Sequence, residues 1–102
     1  MAYYLVRAKG QELDKLRAWL DSGEIAVMRP FGTSLDYSLK HARLDPDGWA
    51  IWEEEDYCTP PLAMERRAVL DRHFTDLTVK RVEAGDGWEQ IDDLPGLWEV
   101  SV

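Results

Sequence analysis

The run YYLVRAK (3–9) is rich in aromatic and branched residues, which predicts a β-strand. In GQELDKLRAWLDSG, Leu13, Leu16 and Leu20 recur at helical spacing with Trp19 beside them, and Gly23 supplies a stop. That pattern predicts an amphipathic helix. EIAVMR (24–29) reads as a second strand, ended by Pro30 and the loop PFGTS. SLDYSLKHARL (34–44) and WAIWEEEDY (49–57) read as two further strands joined by DPDG. Asp-Pro-Asp-Gly suits a type I turn with Pro46 at its second position and Gly48 in the left-handed conformation. In such a hairpin Asp45 faces Trp49, Lys40 opposes Glu54, and His41 opposes Glu53. Opposite charges across strands favour that register.

A second helix is expected over roughly residues 60–74, with Thr59 as its cap and Pro60 and Pro61 in its first turn. DLTVKRVE (76–83) alternates as a strand does. AGDGWEQIDDLPG reads as a loop with one helical turn that carries Trp88, Ile91 and Leu94 inward. LWEVSV (97–102) reads as a sixth strand. The expected order is therefore β-α-β-β-β-α-β-β in a single domain spanning 1–102. It describes an α+β two-layer sandwich: a mostly antiparallel sheet with both helices on one face. This order resembles ferredoxin-like sandwiches and the tandem β-α-β-β modules of GyrI-like ligand-binding proteins. The resemblance is one of element order, so no functional residue is carried across.

Charge sharpens the picture. Residues 1–51 carry seven basic and seven acidic groups, whereas residues 52–102 carry five and thirteen, so the whole net charge of −8 lies in the second half. No cluster of Lys and Arg exists that could neutralise a phosphate backbone, which argues against nucleic acid. No apolar run approaches the ~20 residues that cross a bilayer, which argues against a membrane. The start of the chain lacks the pattern of a signal peptide, and one cysteine forms no internal disulfide, so a cytoplasmic setting is expected. The chain has no Asn, two Gln and twice as many Arg as Lys; a thermophile and a GC-rich genome both leave that mark.

The candidate site lies where the second helix meets the hairpin. At 100° per residue, Leu62, Val69, Leu70 and Phe74 form an apolar arc that also contains Arg66 and His73, with Glu65, Asp71 and Arg72 outside it. The odd-numbered face of the hairpin offers Tyr37, His41, Glu53, Glu55 and Tyr57. These seven residues would form a ligand-binding pocket, or Arg66 would simply bridge to a carboxylate with its stem covering the sheet. No spacing matches a metal, cofactor, phosphate-loop or nucleophile motif, so no metal, cofactor or catalytic residue is expected. Cys58 precedes the helix, but Glu53 to Asp56 disfavour its thiolate, and it reads as a small spacer.

Five tryptophans are a heavy load for one small core, and in the first strand Tyr3 and Leu5 point away from Tyr4 and Val6. An open aromatic sheet face is therefore expected, and it would mark a partner surface. The first expectation is a non-catalytic association module, a homodimer or the partner of a basic protein. The acidic second half of such a module would suit a small cationic ligand as well as a basic protein; the alternatives are a small-molecule-binding protein or minor enzyme that uses the hairpin–helix pocket for an ionic ligand, and an acidic inhibitor of the immunity type.

Overall fold

The computed structural model describes residues 2–99, which form a four-stranded antiparallel sheet with helices. In chain order the elements are β1 (Ala2–Gly10), α1 (Leu13–Ser22), α2 (Gly32–Lys40), β2 (Arg43–Leu44), β3 (Ala50–Asp56), the helical run α3, β4 (Phe74–Val82) and α4 (Asp86–Gln90). The run α3 has three parts: Ala63–Glu65, a π-helical turn Arg66–Leu70, and Asp71–His73. The strands lie side by side in the order β2-β3-β1-β4.

The first strand and helix form as the pattern predicts. Leu16 and Leu20 are fully buried, and Gly23 ends α1 at φ 84, with its N–H on the Leu20 carbonyl. The strand expected over 24–29 does not form. Ile25 is buried, but Val27 is 73% exposed, and the N–H groups of Met28 and Gly32 close turns on the carbonyls of Ile25 and Met28. The chain crosses itself so tightly here that a Cβ at Gly32 would collide with the carbonyls of Ile25 and Ala26.

The strand expected over 34–44 is instead α2 followed by the two-residue β2. Leu35 and Leu39 satisfy a helical repeat as well as an alternating one. The helix buries Leu35, Ser38 and Leu39 along one face, while Lys40 pairs with Asp36 one turn back at 3.2 Å. The DPDG turn is present, with Gly48 at φ 87 and Asp45 exchanging backbone hydrogen bonds with Gly48 and Trp49. The register expected next to it also holds, Arg43 facing Ile51 and Leu44 facing Ala50. It stops there, because α2 begins to curl before Lys40 and His41 can reach Glu54 and Glu53. Along the rest of β3 the helix covers the strand edge, and Ser38 Oγ donates to the Glu53 carbonyl at 2.7 Å.

Among the described residues the order therefore departs from the expected one: four strands where six are expected in the whole chain, and an additional helix in the first crossover. Leu97–Glu99 is a 3₁₀ turn, and the remainder of the expected sixth strand lies outside the described residues. The core gathers Val6, Ala8, Ala50 and Trp52 from the even-numbered sheet positions with Leu16, Leu35, Leu62, Val69 and Leu70 from the helices. The odd-numbered face is not an open aromatic surface. Ile51 and Glu53 on it are buried, and Arg7 stacks over Trp49 at 3.8 Å while its Nε meets Asp45. The large exposed apolar side chains among the described residues are Val27, Tyr37, Tyr57, Met64 and Val79, of which Tyr57 adjoins that face at the end of β3, its hydroxyl on Glu55.

Candidate functional site

In β3 the side chains alternate, so the buried Trp52 fixes the direction of the residues two and four further on. Glu54 and Asp56 consequently enter the core side, at 0% and 4% exposure. Asp56 has a clear structural task. Its Oδ2 accepts the N–H groups of Cys58 and Leu62, so it, and not Thr59, closes the start of α3. Both Arg29–Pro30 and Thr59–Pro60 are cis.

The π-helical turn then decides which side chain of α3 faces inward. A wider turn with i→i+5 bonding places one extra residue between successive contacts, which brings Glu65 rather than Arg66 onto the side of Val69. Glu65 is 1% exposed and Glu54 is fully buried, and neither has a cationic partner; Glu65 meets the Asp56 carboxyl and its own backbone N–H, and Glu54 has the Ser38 hydroxyl nearby. Burial, with Asp56 beside it, raises the Glu65 carboxyl from 4.5 to about 7. Burial and the nearby Glu65 raise Glu54 well above the ordinary carboxyl range. At Cys58 a hydrogen bond to the Met64 backbone favours the thiolate, but burial and Asp56 outweigh it and hold the thiol above its ordinary value.

Three of these groups, Asp56, Cys58 and Glu65, line a cleft of about 360 Å³, with Glu54 behind it in the core. Asp56, Cys58 and Glu65 supply the polar end, and Phe31, Tyr57 and Met64 supply apolar walls. The donor atoms of Asp56, Cys58 and Glu65 lie within 4.8 Å of one another, a spacing that suits one shared cation, whether an ammonium group or a metal ion. A second cleft of about 350 Å³ adjoins it, since Ser34 and Glu55 line both. Its walls include Tyr3, Tyr37, Trp88 and Glu53. Among the described residues, no Lys, Arg or His lines either cleft. A larger groove of about 460 Å³, lined by Leu13, Leu44, Leu97 and Trp98, has only Asp14 and Arg17 for polarity and no converging polar groups.

The seven residues singled out from the sequence divide between these places. Tyr37, Glu53, Glu55 and Tyr57 do come together around the two clefts. Glu55 is held between them, accepting from Tyr3 Oη at 3.0 Å and from Tyr57 Oη at 3.2 Å. Glu53 is committed elsewhere: its two oxygens accept the N–H groups of Gly85 and Gly87 and anchor the start of α4. A Cβ at Gly87 would meet Glu53 Oε1 at 2.8 Å, so this carboxylate fits only a glycine backbone. His41 ends α2, stacked on Tyr37 at 4.1 Å, with its Nδ1 2.8 Å from the Tyr37 carbonyl. Arg66 and His73 do not join the group. Arg66 points outward and pairs with the exposed Asp71 at 3.3 Å, and His73 packs near Trp19 with Nδ1 3.3 Å from the Gln11 carbonyl. The expected bridge from Arg66 to the hairpin carboxylates is absent, because the widened turn rotates Arg66 away.

The residues that matter most here, Glu54, Asp56 and Glu65, were not among the seven. The inward direction of Trp52 carried the signal for the first two; nothing in the sequence marks the π-helical turn that selects Glu65. Comparison with known proteins gives no match: no family model, no curated protein and no solved structure is significantly similar to this chain.

Proposed function

We propose that the protein is a non-catalytic binding protein for a small, positively charged organic ligand held in the cleft between the 24–31 turn and α3. One observation carries this reading: Glu65 is buried and lines the cleft with no Lys, Arg or His beside it, its polar neighbours being its own backbone N–H and the carboxyl of Asp56. A carboxylate in that position must either take up a proton or meet a cation. An ammonium group carries three donors, which the acceptors of Asp56, Cys58 and Glu65 are spaced to receive. Phe31, Tyr57 and Met64 offer apolar contact for the body of such a ligand, and Tyr57 and Met64 are two of the large apolar side chains exposed to water.

The antiparallel order β2-β3-β1-β4, with helical crossovers from β1 to β2 and from β3 to β4, supports assigning the fold to the ferredoxin-like class. The single free cysteine is in keeping with a reducing compartment. A second reading, association with a basic protein, draws on the acidic excess of residues 52–102. Homodimerisation through an aromatic sheet face has no comparable support, since that face is covered or polar.

Isothermal titration with butylamine at pH 7.5 tests the first reading. Saturable binding that is lost in Glu65→Gln is expected. Stabilisation by zinc ions with no response to the amine would replace the organic ligand with a metal, and no response to either would end the reading.

A further inference from the structure

The two clefts adjoin, because Ser34 and Glu55 belong to the walls of both. Each combines carboxylates with aromatic surface: Asp56 and Glu65 with Phe31 and Tyr57 in one, Glu53 and Glu55 with Tyr37 and Trp88 in the other. Four carboxylates thus line the two adjoining clefts, and no basic side chain among the described residues lines either. Glu55 stands at the divide with its orientation fixed by the Tyr3 and Tyr57 hydroxyls. In the second cleft Tyr37 and Trp88 meet edge to face at 6.3 Å, and Tyr37 is 56% exposed. Aromatic rings set around an open space beside a carboxylate attract an ammonium group through the ring quadrupole as well as by charge.

We infer that the ligand is a linear aliphatic diamine or longer polyamine that places one ammonium group in each cleft, its methylene chain passing Ser34 and Glu55. The inference rests on the proposed cation-binding function and adds to it the number of charges and the shape of the molecule. A monoamine fills one cleft alone. A diamine of matching length gains the second cleft at high effective concentration, so its affinity rises without any change in the first contact. Unbranched methylenes suit the passage, since they lose hydration against the aromatic walls and present no group needing a partner.

Titration calorimetry with diamines of three to eight methylenes, each compared with the monoamine of equal chain length, tests the inference. One length or a narrow range is expected to bind at least tenfold more tightly than its monoamine. Tyr37→Ala, a change at an exposed position that leaves the core intact, is expected to bring that diamine down to the affinity of the monoamine. If monoamines bind and Glu65→Gln abolishes them, yet no diamine shows a gain at any length, the diamine inference is overturned while the single-cation reading stands. If no amine binds at all, both fall together. A trilysine peptide that binds more tightly than every diamine would also overturn the inference, and would assign the two clefts to a protein partner.

Discussion

Replacing Glu65 by Gln keeps the shape of the side chain and removes its charge, which isolates the cost of burying that carboxylate. Its acid form is favoured in the fold, with the carboxyl raised from 4.5 to about 7. A raised folded value means that the native state binds the proton more tightly than the unfolded chain does. Stability from this group is therefore complete below pH 4.5 and is lost as pH rises through 7. At about 1.4 kcal/mol per decade, the interval corresponds to a loss of about 3 kcal/mol. Water entering the cleft screens the charge, so a loss of about 1.5–3 kcal/mol is the working figure. Glutamine has no such titration, and removing the charge also relieves Glu54, which Glu65 helps to raise. Urea unfolding of the ligand-free proteins at pH 5 and pH 8 provides the assay. The two proteins should be within about 1 kcal/mol of each other at pH 5, and the variant should be the more stable by about 1.5–3 kcal/mol at pH 8. A variant less stable than the parent at pH 8, or a difference that does not change with pH, would refute the account of Glu65 as a buried, unmatched acid.

Other positions give independent checks. Glu53→Ala removes the acceptor for the Gly85 and Gly87 N–H groups and should cost about 2 kcal/mol or more in urea unfolding, with faster amide exchange confined first to the start of α4. Arg66→Met should change stability by less than about 0.5 kcal/mol, because the Arg66–Asp71 pair is exposed; a larger loss would restore the bridge to the hairpin. Cys58 should react with iodoacetamide more slowly at pH 7.5 than the thiol of a free peptide, and the gap should narrow as pH is raised, since burial and Asp56 keep it protonated.

Several parts of the fold were legible in the sequence because each rests on local chemistry. Leu13, Leu16 and Leu20 could form only a helical stripe, and Asp45 with Gly48 could form only a tight turn, so α1 and the hairpin corner stand where the pattern puts them. The segment around Leu35 and Leu39 satisfied two periods at once, and the choice between them was made by contacts distant in sequence, including the Ser38 bond to the β3 edge. Ile25 and Val27 imitate an alternating strand, yet only one of them is buried. At the candidate site the hairpin face points to Glu55, Tyr37 and Tyr57, although Tyr37 arrives there on a helix and not on a paired strand. Arg66 was misplaced because an ideal 100° wheel has no room for a π-helical turn. The same wheel points Glu65 to solvent, whereas the structure buries it.

The way α2 lies along β3 has a further consequence for assembly. With that border closed and β2 only two residues long, β4 is the border at which another chain has room to join the ladder. Lys80 and Arg81 are exposed on that strand and put positive charge beside its border, and Asp76 interrupts the extended backbone with a φ of 54. Growth by strand addition is thus discouraged on both flanks, by a helix on one and by like charge and a kink on the other.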